Sequence, residues 1–217
     1  MAKSVSAYTK ELFLSGSHSD LTIHCGGQDF RVHKYPLLTQ SPWFRTALSG
    51  AWAKGTPVGT VATLTIEEDD PEILKALLKY FYIPTYDDST RGTLSPATFA
   101  VKIYAIADKY DAKALCDMAA SKLSKSLDPM NDVEGFVAAI EAIDELTGSE
   151  TLWDIVVPKI VANRKMLARK KQFTDLLHEM PELLIRMMEG DENEVAQTVP
   201  TSNGGYDSYG GGGRTLG

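Results

Sequence analysis

The chain has 217 residues, of which 43% are hydrophobic and 24% charged, the make-up of a globular protein able to bury a sizeable core. Its formal net charge of -7 argues against nucleic acid as a partner, because phosphate binding needs a basic stripe. No apolar run approaches the ~20 residues that cross a bilayer, so no membrane partner is expected either.

The opening segment MAKSVSAYTKELFLSG is too interrupted for a secretory signal, and a cytoplasmic or nuclear location is expected. Val5, Tyr8, Leu12 and Phe13 instead space out as a short amphipathic helix ending near Gly16. Next, Leu21, Ile23 and Cys25 alternate with Thr22 and His24, the period of a half-buried strand. Gly26-Gly27 supplies a hairpin turn, and Phe30 and Val32 resume the alternation. The stretch DFRVHKYPLL then ends a strand on His33 and Lys34 and breaks at Tyr35-Pro36.

Beyond Pro36 the period becomes helical. Leu37, Leu38, Trp43, Phe44, Ala47 and Leu48 fit two short helices, with Ser41 as N-cap and Pro42 as first residue of the second. GAWAKGTPVGT is rich in glycine and reads as a flexible loop, and VATLTI as a third strand. Three helix starts follow. Asp70-Pro71 opens one with Leu74, Leu77, Leu78 and Phe81 on a single face. Ser95-Pro96 opens the next, and Asp111 is expected to cap the third. The polar loop IPTYDDSTRGTLS separates the first two and contains Tyr86.

A second helical group starts near Asp132, with Val133, Phe136, Val137, Ile140 and Ile143 in one stripe. Pro158, after Trp153 and Val157, must start a new helix or kink the old one. Phe173, Leu176 and Leu177, then Leu183, Leu184, Met187 and Met188, predict a closing helical pair with Pro181 at its junction. The basic run Arg164, Lys165, Arg169, Lys170 and Lys171 reads as a solvated helix face. From about Asp191 the apolar pattern stops, and the Gly, Ser and Tyr rich tail is expected to be disordered. Its lone Arg214 speaks against an RNA-binding segment.

Catalytic chemistry has little to build on. Alternation sends Cys25 and His24 to opposite faces of one strand, so they cannot form a nucleophile and base. His18, His24, His33 and His178 show no zinc spacing with Cys25 or Cys116, and no glycine loop precedes a phosphate-binding lysine. Both cysteines read as buried thiols. No enzyme activity, cofactor or metal is expected.

Three stretches carry a resemblance. SDLTIHCGGQDFRVHKYPLLTQSPWFRTALSG, TLTIEEDDPEILKALLKYFY and IYAIADKYDAKALCDMAASKL are similar to the BTB/POZ family in order and motif. The resemblance implies a helix-dominated α+β fold, a small three-stranded sheet with surrounding helices, followed by a helical extension. It divides the chain into an N-terminal helix segment (1–17), a BTB/POZ domain (18–128), an extension (129–190) and a tail (191–217). The extension resembles that of short fungal members, without a kelch, zinc-finger or MATH unit.

The resemblance also implies function: a module that brings chains together, as a self-associating scaffold or regulator, or as a substrate adaptor of a cullin-type ubiquitin ligase. His33 and Lys34 become fold residues, with Lys34 and Asp20 matching positions that line a charged pocket in dimeric members. The homodimer candidates are therefore Val5, Tyr8, Leu12, Phe13, Asp20 and Lys34. Cullin-binding members often carry a hydrophobic-x-Glu motif after the second short helix. Here the matching stretch is Trp52-Ala53-Lys54, with a base in place of the acid. Trp52, Lys54, Trp43 and Tyr86 are the candidates for contact with a partner.

Overall fold

Two consecutive glycines set the first turn of the sheet. Gly26 and Gly27 have φ of +53° and +77°, the left-handed pair that a two-residue hairpin turn favours. β1 (Leu21–Cys25) folds back on β2 (Gln28–Val32), with Leu21 opposite Val32 and Cys25 opposite Gln28. The structure, a computed structural model, describes residues 5–49, 61–128 and 131–198, with side chains between 7 and 190 of these ranges. Residues 50–60, expected from the sequence to form a loop, and residues 199–217 lie outside the described residues.

β3 (Ala62–Ile66) pairs with the free side of β1 in parallel, giving the order β2-β1-β3. Parallel neighbours need a crossover. Here it runs through α2 (Lys34–Gln40) and α3 (Pro42–Ser49). Leu21, Ile23 and Cys25 of the central strand, with Ala62, Leu64 and Ile66 of β3, are buried.

Ser41 holds the α2–α3 corner. Its hydroxyl accepts from the Phe44 amide at 3.0 Å and donates to the Tyr110 carbonyl at 2.5 Å. It is fully buried, which is tolerable because both of its hydrogen-bonding roles are filled. The cap thus ties the short helices to a residue 69 positions away.

The caps of the longer helices follow the sequence with one exception. Asp70 accepts from the Glu72 amide at 2.8 Å and starts α4 (Pro71–Tyr82). Ser95 accepts from the Thr98 amide at 3.0 Å and starts α5 (Pro96–Lys109). Asp111, expected to cap α6 (Lys113–Ser126), does not: the residue before that helix is Ala112, with no side-chain cap. Asp111 instead has φ of +54° and ends α5. The Asp111 amide bonds to the Asp108 carbonyl at 3.0 Å and the Ala112 amide to the Ala107 carbonyl at 2.7 Å. That pattern is a Schellman turn, with Asp111 in the place glycine usually takes.

The extension is built on α7 (Val133–Asp144), capped by Asp132 through the Gly135 amide at 2.8 Å. α8 (Glu150–Leu167) runs through Pro158 as one helix, so the proline does not start a new one. α9 (Lys171–Glu179) and α10 (Pro181–Thr198) close the chain. α10 continues past Asp191, where the tail was expected to begin.

α10 lies along α8 and runs in the same direction. The Arg186 guanidinium stacks 4.7 Å from the Trp153 ring and bonds both Glu150 oxygens, at 2.9 and 3.0 Å. One turn later a Cβ on Gly190 would sit 2.7 Å from Val157 Cγ1, so a side chain there would force the helices apart. Of the predicted closing stripe, Leu183 is buried and Met187 packs on the core, while Leu184 and Met188 face outward beside Ile185. The helix presents two apolar edges and buries one.

Burial is continuous. Leu74 and Phe99 belong to the same hydrophobic cluster as Phe136, Ile140, Trp153 and Ile160. α5 is the shared wall, packing on α4, α6 and α7.

Candidate interaction surfaces

The corner where β2 becomes α2 is a closed hydrogen-bond network. The Tyr82 hydroxyl accepts from the His33 amide at 2.6 Å and lies 2.8 Å from His33 Nδ1. His33 Nε2 lies 2.8 Å from the Ser17 carbonyl. A carbonyl can only accept, so Nε2 carries the proton, and in the neutral ring Nδ1 accepts from the tyrosine. Burial pushes the Tyr82 hydroxyl up to about 12, against a smaller opposing pull from the His33 amide bond. It therefore stays a donor at ordinary pH. His33 is a fold residue, as the resemblance implies.

Asp20 and Lys34 meet, but not as an ion pair. Asp20 Oδ1 accepts from the backbone amide of Lys34 at 2.7 Å. This fills the role that His33, at the N-cap, leaves open, since its side chain makes no cap bond.

α1 (Val5–Ser15) splits the dimer candidates. Leu12 and Phe13 pack on the core, with the Phe13 ring 5.2 Å from Tyr82. Tyr8 is 55% exposed and Leu14, which the sequence reading did not single out, 70%. The side chain of Val5 lies outside the described residues. Tyr35 at the start of α2 is 77% exposed.

Among the partner candidates, Trp43 and Tyr86 are engaged internally. Trp43 stands edge-on to Tyr110 at 4.6 Å and to Phe44 at 5.0 Å. Tyr86 sits edge-on to Phe99 at 5.9 Å under the Lys122 ammonium at 5.2 Å, and its buried hydroxyl has no hydrogen-bond partner among the described residues. Both aromatic rings serve packing. Trp52 and Lys54 lie outside the described residues.

His24 bonds to Asp29 on the open side of the hairpin, while Cys25 is buried on the other. The two do not meet. The Cys25 thiol donates to the Asp69 carbonyl at 3.2 Å, and burial raises its pKa. Asp69 is the hub of this end of the sheet. Its carboxylate accepts from Lys109 Nζ at 2.8 Å and the Tyr110 hydroxyl at 2.6 Å. Burial, then the carboxylate itself, keeps Tyr110 protonated well above the usual range. Among the described residues no group of three His, Cys, Asp or Glu is placed to hold a metal ion.

Two surface features stand out in the assembled chain. A cleft of about 320 Å³ opens between the β3–α4 turn, α5 and the end of α7. Ile73, Val101 and Ile106 line it together with Glu68, Asp70 and Glu145. A second cleft of about 270 Å³ shares Ala105, Lys109, Glu145 and Leu146 with it, and reaches Asp108 and Ser149. Nothing local in the sequence marks these clefts, since three distant segments form them. The second feature is the corner between α8 and α9, where Arg164, Lys165, Arg169, Lys170 and Lys171 are all exposed. The basic run is solvated as expected, but it is not one helix face: Arg164 and Lys165 end α8, Arg169 and Lys170 lie in the turn, and Lys171 starts α9.

The fold is a small mixed three-stranded sheet wrapped by helices, with closed polar corners and open clefts. The chain belongs to the BTB/POZ domain family, whose model matches residues 9–127. The family is one of protein–protein interaction modules. The chain is similar to "BTB/POZ and MATH domain-containing protein 4" of Arabidopsis thaliana, 25% identical over 190 residues, covering 82% of this chain and 39% of that protein. Protein 5 of the same series is 31% identical over 118 residues (46% and 26%), and protein 3 is 27% identical over 207 residues (92% and 47%). The chain thus spans less than half the length of these relatives. Among solved structures it is similar to the BTB domain of zebrafish PATZ1, at 14% identity and a TM-score of 0.41, covering 58% of this chain and 98% of that one.

Proposed function

We propose that this chain is a self-associating scaffold or regulator, whose first contact surface is the outer side of α1 and its surroundings. The observation that carries the reading is the division of α1. Leu12 and Phe13 anchor the helix on the core, while Tyr8 and Leu14 remain as large apolar side chains facing outward. An anchored helix with exposed apolar groups is preorganised for association, because little ordering entropy is lost on binding. Members of the family generally self-associate, which supports the same reading.

Sedimentation equilibrium of the full chain at tens of micromolar in about 0.5 M salt, where charge contacts are screened, tests it. A dimer that dissociates when Tyr8 and Leu14 are both replaced by Ser is the expected result. A monomer throughout the range would remove self-association from the reading.

The second reading is a cullin adaptor, supported by the family's general habit of binding cullins and by the hydrophobic Trp52 at the motif position. Lys54 in place of the motif's acid weighs against it.

A further inference from the structure

The clefts and the basic corner stand at opposite ends of one helix. Ser149, immediately before α8, lines the second cleft, and Arg164 and Lys165 lie in the last turn of α8. α8 has 18 residues, so its two ends are separated by about 27 Å at 1.5 Å per residue. Their charges are opposite. The joined clefts carry the carboxylates of Glu68, Asp69, Asp70, Asp108 and Glu145 against Lys102 and Lys109, with Lys109 paired to both Asp69 and Glu68. At the corner, Lys171 bonds to Asp175 at 2.5 Å, while Lys165, Arg169 and Lys170 form no ion pair among the described residues. In a chain of net charge -7, this corner is a local reversal of sign.

We propose that the basic corner of one copy docks into the acidic cleft of a second copy, a head-to-tail contact separate from the α1 surface. Shape agrees with charge: the corner is a projecting turn exposed from Ala168 to Gln172, and the cleft is an open groove with apolar Ile73, Val101 and Ile106 among its lining. Complementary patches at two different places on one molecule make a heterologous interface, which extends into chains or closes into rings. Like-charged corners repel, so the contact has one orientation. The contact goes beyond the scaffold reading and does not require the α1 surface.

The experiment uses the full chain carrying Tyr8→Ser and Leu14→Ser, so that association through α1 cannot be mistaken for this contact. Sedimentation velocity is run at about 0.05 M and about 0.5 M salt, where screening differs severalfold in range. The parent associates at low salt and becomes monomeric at high salt. Reversing the corner (Lys165→Glu, Arg169→Glu, Lys170→Glu) weakens association at least tenfold, and so does reversing the cleft (Glu68→Lys, Glu145→Lys). Mixing the two reversed chains restores it, because each then offers the charge the other lacks. Circular dichroism checks that each variant is folded, and neutral Gln replacements at the same positions serve where a reversed chain is not. A parent that is monomeric at low salt, a folded corner variant that still associates, or a mixture that stays monomeric would each overturn the contact.

Discussion

Asp20 binds the backbone of Lys34, not its ammonium: Oδ1 accepts from the Lys34 amide at 2.7 Å. A side-chain carboxylate from the strand entry therefore caps a helix 14 residues on. Asp20→Ala should lose about 1 kcal/mol, the usual worth of such a cap, and Asp20→Lys should lose more. Because the lysine side chain is not the partner, adding Lys34→Asp to Asp20→Lys should not recover the loss. Urea denaturation of the four chains in a double-mutant cycle measures this. A coupling energy above about 0.5 kcal/mol would mean that the two side chains interact after all.

Tyr82 links His33 to the core, and its loss should be felt twice. Tyr82→Phe leaves the His33 amide and Nδ1 without partners, costing about 1–3 kcal/mol. The same hydroxyl makes stability sensitive to alkali. Its pKa is raised to about 12, whereas an unfolded tyrosine titrates near 10. Between those values the unfolded chain has released the proton and the folded chain retains it, so stability is full below the lower value and falls as pH rises toward the upper. The decline is up to about 1.4 kcal/mol per pH unit for each such group. Tyr110 and Tyr86, raised in the same direction by burial, add to it. Denaturation midpoints at about pH 9, 10 and 11, with and without Tyr82→Phe, should show a shallower decline in the variant.

Asp111 occupies a left-handed position that costs a side chain about 1 kcal/mol relative to glycine. It also places a carboxylate at the negative end of α5. Asp111→Gly should therefore stabilise the protein by about 0.5–1 kcal/mol, against the loss expected had the residue been a cap. A rise in melting temperature is the readout; a fall would restore a capping role.

The α1 residues should separate by property. Phe13→Ala should lower stability by about 2–4 kcal/mol, since its ring packs on Tyr82. Tyr8→Ser with Leu14→Ser should leave the melting temperature nearly unchanged and weaken self-association. Equal loss of stability in both variants would remove the distinction between anchor and contact.

The loop residues test the adaptor reading. A cullin surface that accepts an acid would meet Lys54 with the wrong charge, so binding to a cullin N-terminal fragment should be weak. Lys54→Glu should strengthen it by about 1–3 kcal/mol, and Trp52→Ala should abolish what remains. Titration calorimetry of the three chains decides. Tight binding that Lys54→Glu does not alter would move the adaptor ahead of the scaffold.

What the sequence determined by itself was local. The alternation of Leu21, Ile23 and Cys25, the glycine pair of the hairpin, and the caps Ser41, Asp70, Ser95 and Asp132 are encoded within a few residues of where they act. Periodicity and caps are short-range properties, so they are legible without a fold. The tail boundary was misplaced because the apolar stripe stops at Asp191 while good helix formers, Glu192, Glu194 and Ala196, continue. The rest was decided by tertiary structure. The parallel pairing of β3, the turn of Asp111 into the left-handed region, the inward faces of Trp43 and Tyr86, and the choice of Lys34 amide over ammonium all depend on segments brought together from afar. So do the clefts, whose walls come from residues 68–73, 101–109 and 142–149. A surface assembled from three distant segments leaves no periodic mark in any one of them, and only packing places its charges side by side.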